Sequence, residues 1–311
     1  MSWLMKLIPS VAMMGLLVEG LAFSATSAPE EQLDANKIAA ASGAKTTVTP
    51  DGVVRISWPR ADVKVQVDGV PLKPFAGLGS WAAFTKAPHG AMVMGDTVVF
   101  QDEVTPAMDA TFAHGLEVTG LHNHFLHDEP KVFFMHVGGR GKPEELAAGV
   151  KAVWDAIKKV RVANPEPAKT FEEIGPEADS IEPKTVEEIL GHKTQTQDGV
   201  VKVTIGRDGM MHGIKVGGSM GLTTWAAFSG ADERAAVDGD FIMTAAEVQP
   251  VLRALRKAGI HIVALHNHMA GEQPAFYFTH FWGKGPAEQL ARGLRTALDA
   301  QAEVAKSGKG H

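Results

Sequence analysis

The sequence predicts an α+β fold of two homologous α/β-sandwich-like repeats related by a pseudo-two-fold axis. Three observations predict it. Sliding the chain by 144 residues aligns Trp81 through Ala156 with Trp225 through Ala300 without a gap, and 29 of those 76 positions are identical. Several segments alternate or run β-branched as strands do, and others carry helix start and stop signals. A unit of about 125 residues is far longer than a solenoid repeat, so this is a duplicated domain.

The elements follow in order within each copy: a short helix, a set of strands, a helix, a strand hairpin and a final helix. "GVVRISW", "VKVQVDG" and "AMVMGDTVVF" read as strands. "SWAAF" and its counterpart "TWAAF" are expected in the core. Upstream of them "DGVVRIS" at Asp51 meets "DGVVKVT" at Asp198, an offset of 147, so the second copy is shorter there. Past Glu103, Pro106 in a first turn and Gly115 as a stop bound a helix. "LEVTGLHNHF" and "KVFFMHV" read as two strands joined by "LHDEP", and "KPEELAAGVKAVWDAIKK" opens the last helix with Pro143. The expected boundaries are a signal peptide over 1–28, a first repeat over 33–160, an acidic Pro-rich linker over 161–184 and a second repeat over 185–305.

With 45% hydrophobic and 21% charged residues in 311, the chain can bury a sizeable core. A net charge of −6 and no basic stripe argue against nucleic acid as a partner. Lys6, the apolar run from Leu7 to Phe23 and the small residues through Ala28 have the layout of a secretory signal, which predicts a periplasmic or secreted protein with no stable membrane span after processing. A membrane anchor is the alternative; Pro9, Gly15 and Glu19 interrupt a run already short for a span. Cysteine is absent, so disulfides, thiolate metal sites and lipid attached to cysteine are excluded, and any metal must be held by nitrogen and oxygen.

Chemistry concentrates in "LHNHFLHDEPKVFFMH", Leu121 to His136, and in its counterpart "LHNHMAGEQPAFYFTH", Leu265 to His280. On a strand, residues i and i+2 share a face, so His122 and His124 present two imidazoles together, as do His266 and His268. A hairpin pairing 124 with 132, 122 with 134 and 120 with 136 adds His136, and the same parity adds His280. Asp128, matched by Glu272, is the expected carboxylate. Three imidazoles with an optional carboxylate suit zinc, copper, iron or nickel better than magnesium or calcium. His127 meets Gly271 and reads as a loop residue. The first copy is expected to bind more tightly, because His127, Asp128 and Glu129 offer more donors than Gly271, Glu272 and Gln273.

Other chemistries fare less well. H-x-H followed by an acid resembles the start of a cupin metal motif, but the acid falls at different registers in the two copies and a helix precedes the motif. Ser80 meets Thr224 and no G-x-S-x-G occurs, so a serine triad has no anchor. "GGRGK" at Gly138 and "WGKGP" at Trp282 read as tight turns before a helix, with anion binding at the helix N-terminus as the alternative.

At the paired "LHNH" segments, followed by "EP" or "QP", a phenylalanine-rich strand and "G(R/K)G", the chain resembles the LppY/LpqO family of secreted bacterial proteins, a domain of unknown function. The resemblance covers most of residues 45 to 305 and implies architecture and export, not a reaction. Several members look like lipoproteins, and this chain lacks the cysteine to carry lipid. Three functions follow as expectations: an exported protein binding a transition metal or small anionic ligand; a metal-assisted hydrolase or oxidoreductase with Asp128 or Glu272 as acid or base; or a structural, partner-binding envelope module whose histidines pack.

Overall fold

A single 12-stranded antiparallel sheet runs through both repeats. The computed structural model describes residues 32–168 and 180–307. The signal-peptide segment and the middle of the acidic linker lie outside the described residues.

The first repeat comprises α1 (Ala35–Ser42), β1 (Thr46–Val48), β2 (Val54–Pro59), β3 (Val65–Val67), β4 (Val70–Leu72), β5 (Gly79–Ala87), β6 (Gly90–Phe100), α2 (Val104–Ala113), β7 (Glu117–His122), β8 (Asp128–Glu129), β9 (Val132–Gly141) and α3 (Pro143–Ala163). The second follows the same order: α4 (Pro183–Leu190), β10 (Thr194–Gln197), β11 (Val200–Gly206), β12 (Gly209–Met211), β13 (Ile214–Val216), β14 (Thr223–Ala231), β15 (Arg234–Thr244), α5 (Ala245–Lys257), β16 (His261–His266), β17 (Glu272–Gln273), β18 (Phe276–Gly285) and α6 (Ala287–Ser307). The helix signals work locally. Asp34 caps α1 by accepting from Asn36 N and Lys37 N. Gly115, in the left-handed region at φ 72°, follows α2, and Pro143 opens α3.

The strand order is β1-β2-β5-β6-β9-β7-β16-β18-β15-β14-β11-β10, so the repeats meet edge to edge at β7 and β16. Where sequence reading expects two separate sandwich-like units, the structure joins them in one sheet. β7 and β16, which would each be an open edge in a lone repeat, thereby cover one another, and β1 and β10 remain the outer edges. All six helices contribute to one apolar core with Phe84, Val93, Leu121, Met135, Phe228, Leu265 and Phe281. The other face carries two small clusters, one around Val98, Phe100, Val132 and Phe134, the other around Ile242, Phe276 and Phe278. Beside them the short sheets β4-β3-β8 and β13-β12-β17 form.

One anchor recurs in both copies at the start of the second helix. Arg60, fully buried, donates through both Nη atoms to Glu103 at 2.8 Å, and Glu103 also accepts from Phe100 N at 2.9 Å. Arg207 and Glu247 repeat the pair at 2.5 and 3.2 Å, with Thr244 N donating to Glu247 at 2.8 Å. These fork-to-fork pairs fix the turns that end β6 and β15.

"GGRGK" is not the tight turn expected. β9 continues through Gly141 and β18 through Gly285. A Cβ at Gly139 would meet Leu116 and Leu146 at 3.0 and 3.2 Å, and one at Gly283 would meet Leu290 at 3.0 Å, so glycine there lets the last helix lie close on the strand. Among the described residues, no helix is long and apolar enough to cross a membrane.

Candidate functional site

A β-bulge sets the direction of the histidines. The β7–β9 register slips between Val118 and Gly120, and the β16–β18 register slips at the matching place, between Ile262 and Ala264. Without the extra residue, Val118 and His122 would share a face. With it, Leu121 joins Val118 in the helix-side core, as Leu265 joins Ile262, and His122 and His266 turn to the opposite side. Beyond the bulge the expected register holds: Gly120 lies opposite His136 and His122 opposite Phe134.

His124 departs from that expectation. β7 ends at His122 and β16 at His266, so His124 and His268 stand in the connection and form no ladder pair with 132 or 276. Aromatic stacking places them instead. The His124 ring lies 3.3 Å from the Phe134 ring at 7°, and His268 lies 3.4 Å from Phe278 at 9°. The three imidazoles therefore still cluster. His122 is 5.2 Å from His124 and 4.9 Å from His136, centroid to centroid, and His266 is 5.1 Å from His268 and 4.9 Å from His280.

The carboxylate at the cluster is not the one expected. Asp128 turns its oxygens to Val132 N at 2.7 Å and Lys131 Nζ at 2.8 Å, and Glu272 accepts from Phe276 N at 2.9 Å. Both brace the turn into the following strand. Burial opposes ionisation of Asp128, yet Lys131 and the Val132 amide outweigh it and hold the carboxyl below its ordinary range. The basis for a tighter first site weakens accordingly. The acid that meets the histidines is Asp96 on β6, register partner of His136, and in the second copy Asp240 on β15, partner of His280. Sequence reading passed over both, although the signal was present: "MGD" meets "DGD" in the self-alignment, and this aspartate is identical in the two copies.

Both aspartates are buried, 9% and 2% exposed, and each keeps an Oδ1 with no hydrogen-bond partner among the described residues. His266 Nε2 is likewise buried and unpartnered, while His268 Nε2 lies 3.2 Å from Asp240 Oδ2. Donor atoms of Asp240, His266 and His268 all fall within 4.8 Å of one another. In the first copy His122 Nε2 and His136 Nε2 approach to 2.7 Å, a hydrogen bond in which one ring donates an N–H to the other. An ion bound tetrahedrally by both would set them about 3.3 Å apart. The Nδ1 of His280 is turned to the backbone oxygen of Gly239 at 3.3 Å, an arrangement that leaves Nε2 as the ring atom able to bind a metal.

Burial pushes the Asp96 carboxyl above the ordinary range, against the pull of His136, His124 and His122. Burial, then His122, holds His124 below the ordinary histidine range, with Asp96 opposing. His268 is lowered by burial in the same way, Asp240 opposing and His266 and His280 adding to the shift. Neutral imidazole is the form that binds metal.

A family model covers residues 36–156 and 184–300, the two repeats just described, under the description Domain of Unknown Function (DUF1259). The chain belongs to that family. The family's description assigns it no activity, and no curated protein matches the chain. Solved structures similar to it include the trimeric bacterial microcompartment shell protein PduB (10% identity over 85% of this chain and 93% of that one, TM-score 0.20). Others are ethanolamine utilization protein EutL from Leptotrichia buccalis (13%, 70% and 84%, TM-score 0.20) and EtuB from Clostridium kluyveri (9%, 85% and 92%, TM-score 0.19). Likenesses at such TM-scores carry no argument about what a DUF1259 chain does.

Proposed function

We propose that this DUF1259 protein is an exported, LppY/LpqO-like metal-binding protein whose repeats, related by a pseudo-two-fold axis, each hold one divalent transition-metal ion. Asp96, His122, His124 and His136 form the first ligand set, and Asp240, His266, His268 and His280 the second. The observation that carries this reading is the buried Oδ1 that both aspartates, each beside a histidine cluster, keep without a hydrogen-bond partner among the described residues, with donor atoms of Asp240, His266 and His268 gathered within 4.8 Å in the second copy. A buried carboxylate oxygen costs free energy unless something positive completes it, and the same arrangement in both copies argues against accident. It also favours a cation over the small anionic ligand, which would face a carboxylate at the centre of its site. Three nitrogens and one oxygen match zinc, copper or iron. Four protein ligands leave a tetrahedral ion no resident water to attack a substrate, so the reading is binding and not hydrolysis, and an outside ligand would add as a fifth.

Metal analysis of untagged protein tests it. Two equivalents are expected, falling to one in His124→Ala with the second site still filled. Metal-free protein that also takes up none of these ions on titration would favour the structural, partner-binding module.

A further inference from the structure

The two histidine clusters stand on either side of the seam between β7 and β16. Leu121 and Leu265 pair across β7 and β16, and both point into the helix-side core. Successive residues on a strand face opposite sides, so His122 and His266 both rise from the other face, on adjacent strands. One residue beyond the pair in opposite directions, their Cα atoms are about 8 Å apart on ordinary antiparallel spacing. Asp96, His136 and Gly120 lie in one row across the sheet and Asp240, His280 and Ala264 in another, with His122 and His266 each two residues farther along β7 and β16 on the same face. His124 and His268 are exposed, so this face opens to solvent.

We infer that the two histidine clusters form one paired centre, whose ions stand on the same open face astride the central seam and take a single ligand bearing two anionic groups. This rests on the metal reading above. A divalent ion with three neutral imidazoles and one aspartate keeps one positive charge, so the loaded face holds two like charges and no counter-charge from its own ligands. From strand spacing the ions lie on the order of 10 to 15 Å apart. That separation suits a linear dicarboxylate reaching a fifth position on each ion, and is too long for one bridging oxygen.

Copper(II) is the probe, counted first by metal analysis and then examined by pulsed dipolar EPR. Two coppers at the stated separation are expected in the full chain, with no dipolar signal in His122→Ala/His124→Ala or His266→Ala/His268→Ala, each retaining one copper. Calorimetry with a series of linear dicarboxylates on the zinc-loaded protein is expected to give one bound per chain for the fitting length, about tenfold or more tighter than acetate or either single-site variant. Two coppers bound but uncoupled or beyond about 20 Å would overturn the pairing while leaving the metal reading intact. Coupled ions that bind every dicarboxylate no better than acetate would overturn the ligand. Failure to bind copper or zinc at all would sink the metal reading, and this inference with it.

Discussion

Leu121 pairs with Leu265 at the centre of the 12-stranded sheet, and the two are equivalent positions of the repeats, 144 residues apart. Each is almost wholly buried, at 0% and 4% exposure. The seam is thus continuous core, and both repeats should unfold together: denaturant transitions followed by circular dichroism and by tryptophan fluorescence should coincide. Leu121→Ala should lower stability by about 2 to 4 kcal/mol without splitting the transition. Two separated transitions would show that the halves fold independently despite the shared sheet.

Asp96→Asn and Asp240→Asn separate a ligand from a structural residue. In metal-free protein each change removes a buried carboxylate whose Oδ1 has no partner among the described residues, so stability should stay level or rise by about 1 kcal/mol, while the metal of that repeat is lost. A residue kept for folding would behave oppositely, with stability falling and metal unchanged. Urea melts beside metal analysis decide between the two.

Asp128→Ala should do the reverse. Its oxygens hold Val132 N and Lys131, so the turn should weaken by about 1 to 3 kcal/mol with both metals retained. Loss of the first metal on equilibrium titration, with folding intact, would return Asp128 to the ligand set.

The hairpin register, the clustering of three histidines and the duplication were legible because strand parity and self-alignment are local or internal signals. His124 at the site was legible for the wrong reason: parity placed it on the strand, whereas stacking on Phe134 holds it from the loop. Asp96 is hidden at the sequence level because it lies on a strand 40 residues before His136, and only the sheet order makes them neighbours. The merging of the repeats was equally hidden, since nothing in one β7 sequence says which edge will cover it. The bulge at Thr119 leaves no turn residue to mark it, and Gly120 beside it is Ala264 in the second copy.

Acid should loosen the second repeat in a defined window. Burial raises Glu247, but Arg207, the Thr244 amide and Gln301 prevail and leave its carboxyl below the ordinary 4.5. A group with a depressed folded value contributes stability that is complete above the unfolded value and lost as pH falls through the folded one. Stability should therefore fall as pH drops below about 4.5, and Glu247→Gln should flatten that part of the profile while lowering neutral stability by about 2 kcal/mol. A variant as acid-sensitive as the parent in that range would contradict the assignment.

X-ray absorption at the zinc edge, on untagged protein carrying two equivalents of zinc, tests the central claim most directly. Four nitrogen or oxygen neighbours at about 2.0 to 2.1 Å, with the outer-shell scattering of three imidazoles per ion, are predicted. A shell of water-like oxygens with one imidazole or none would contradict it.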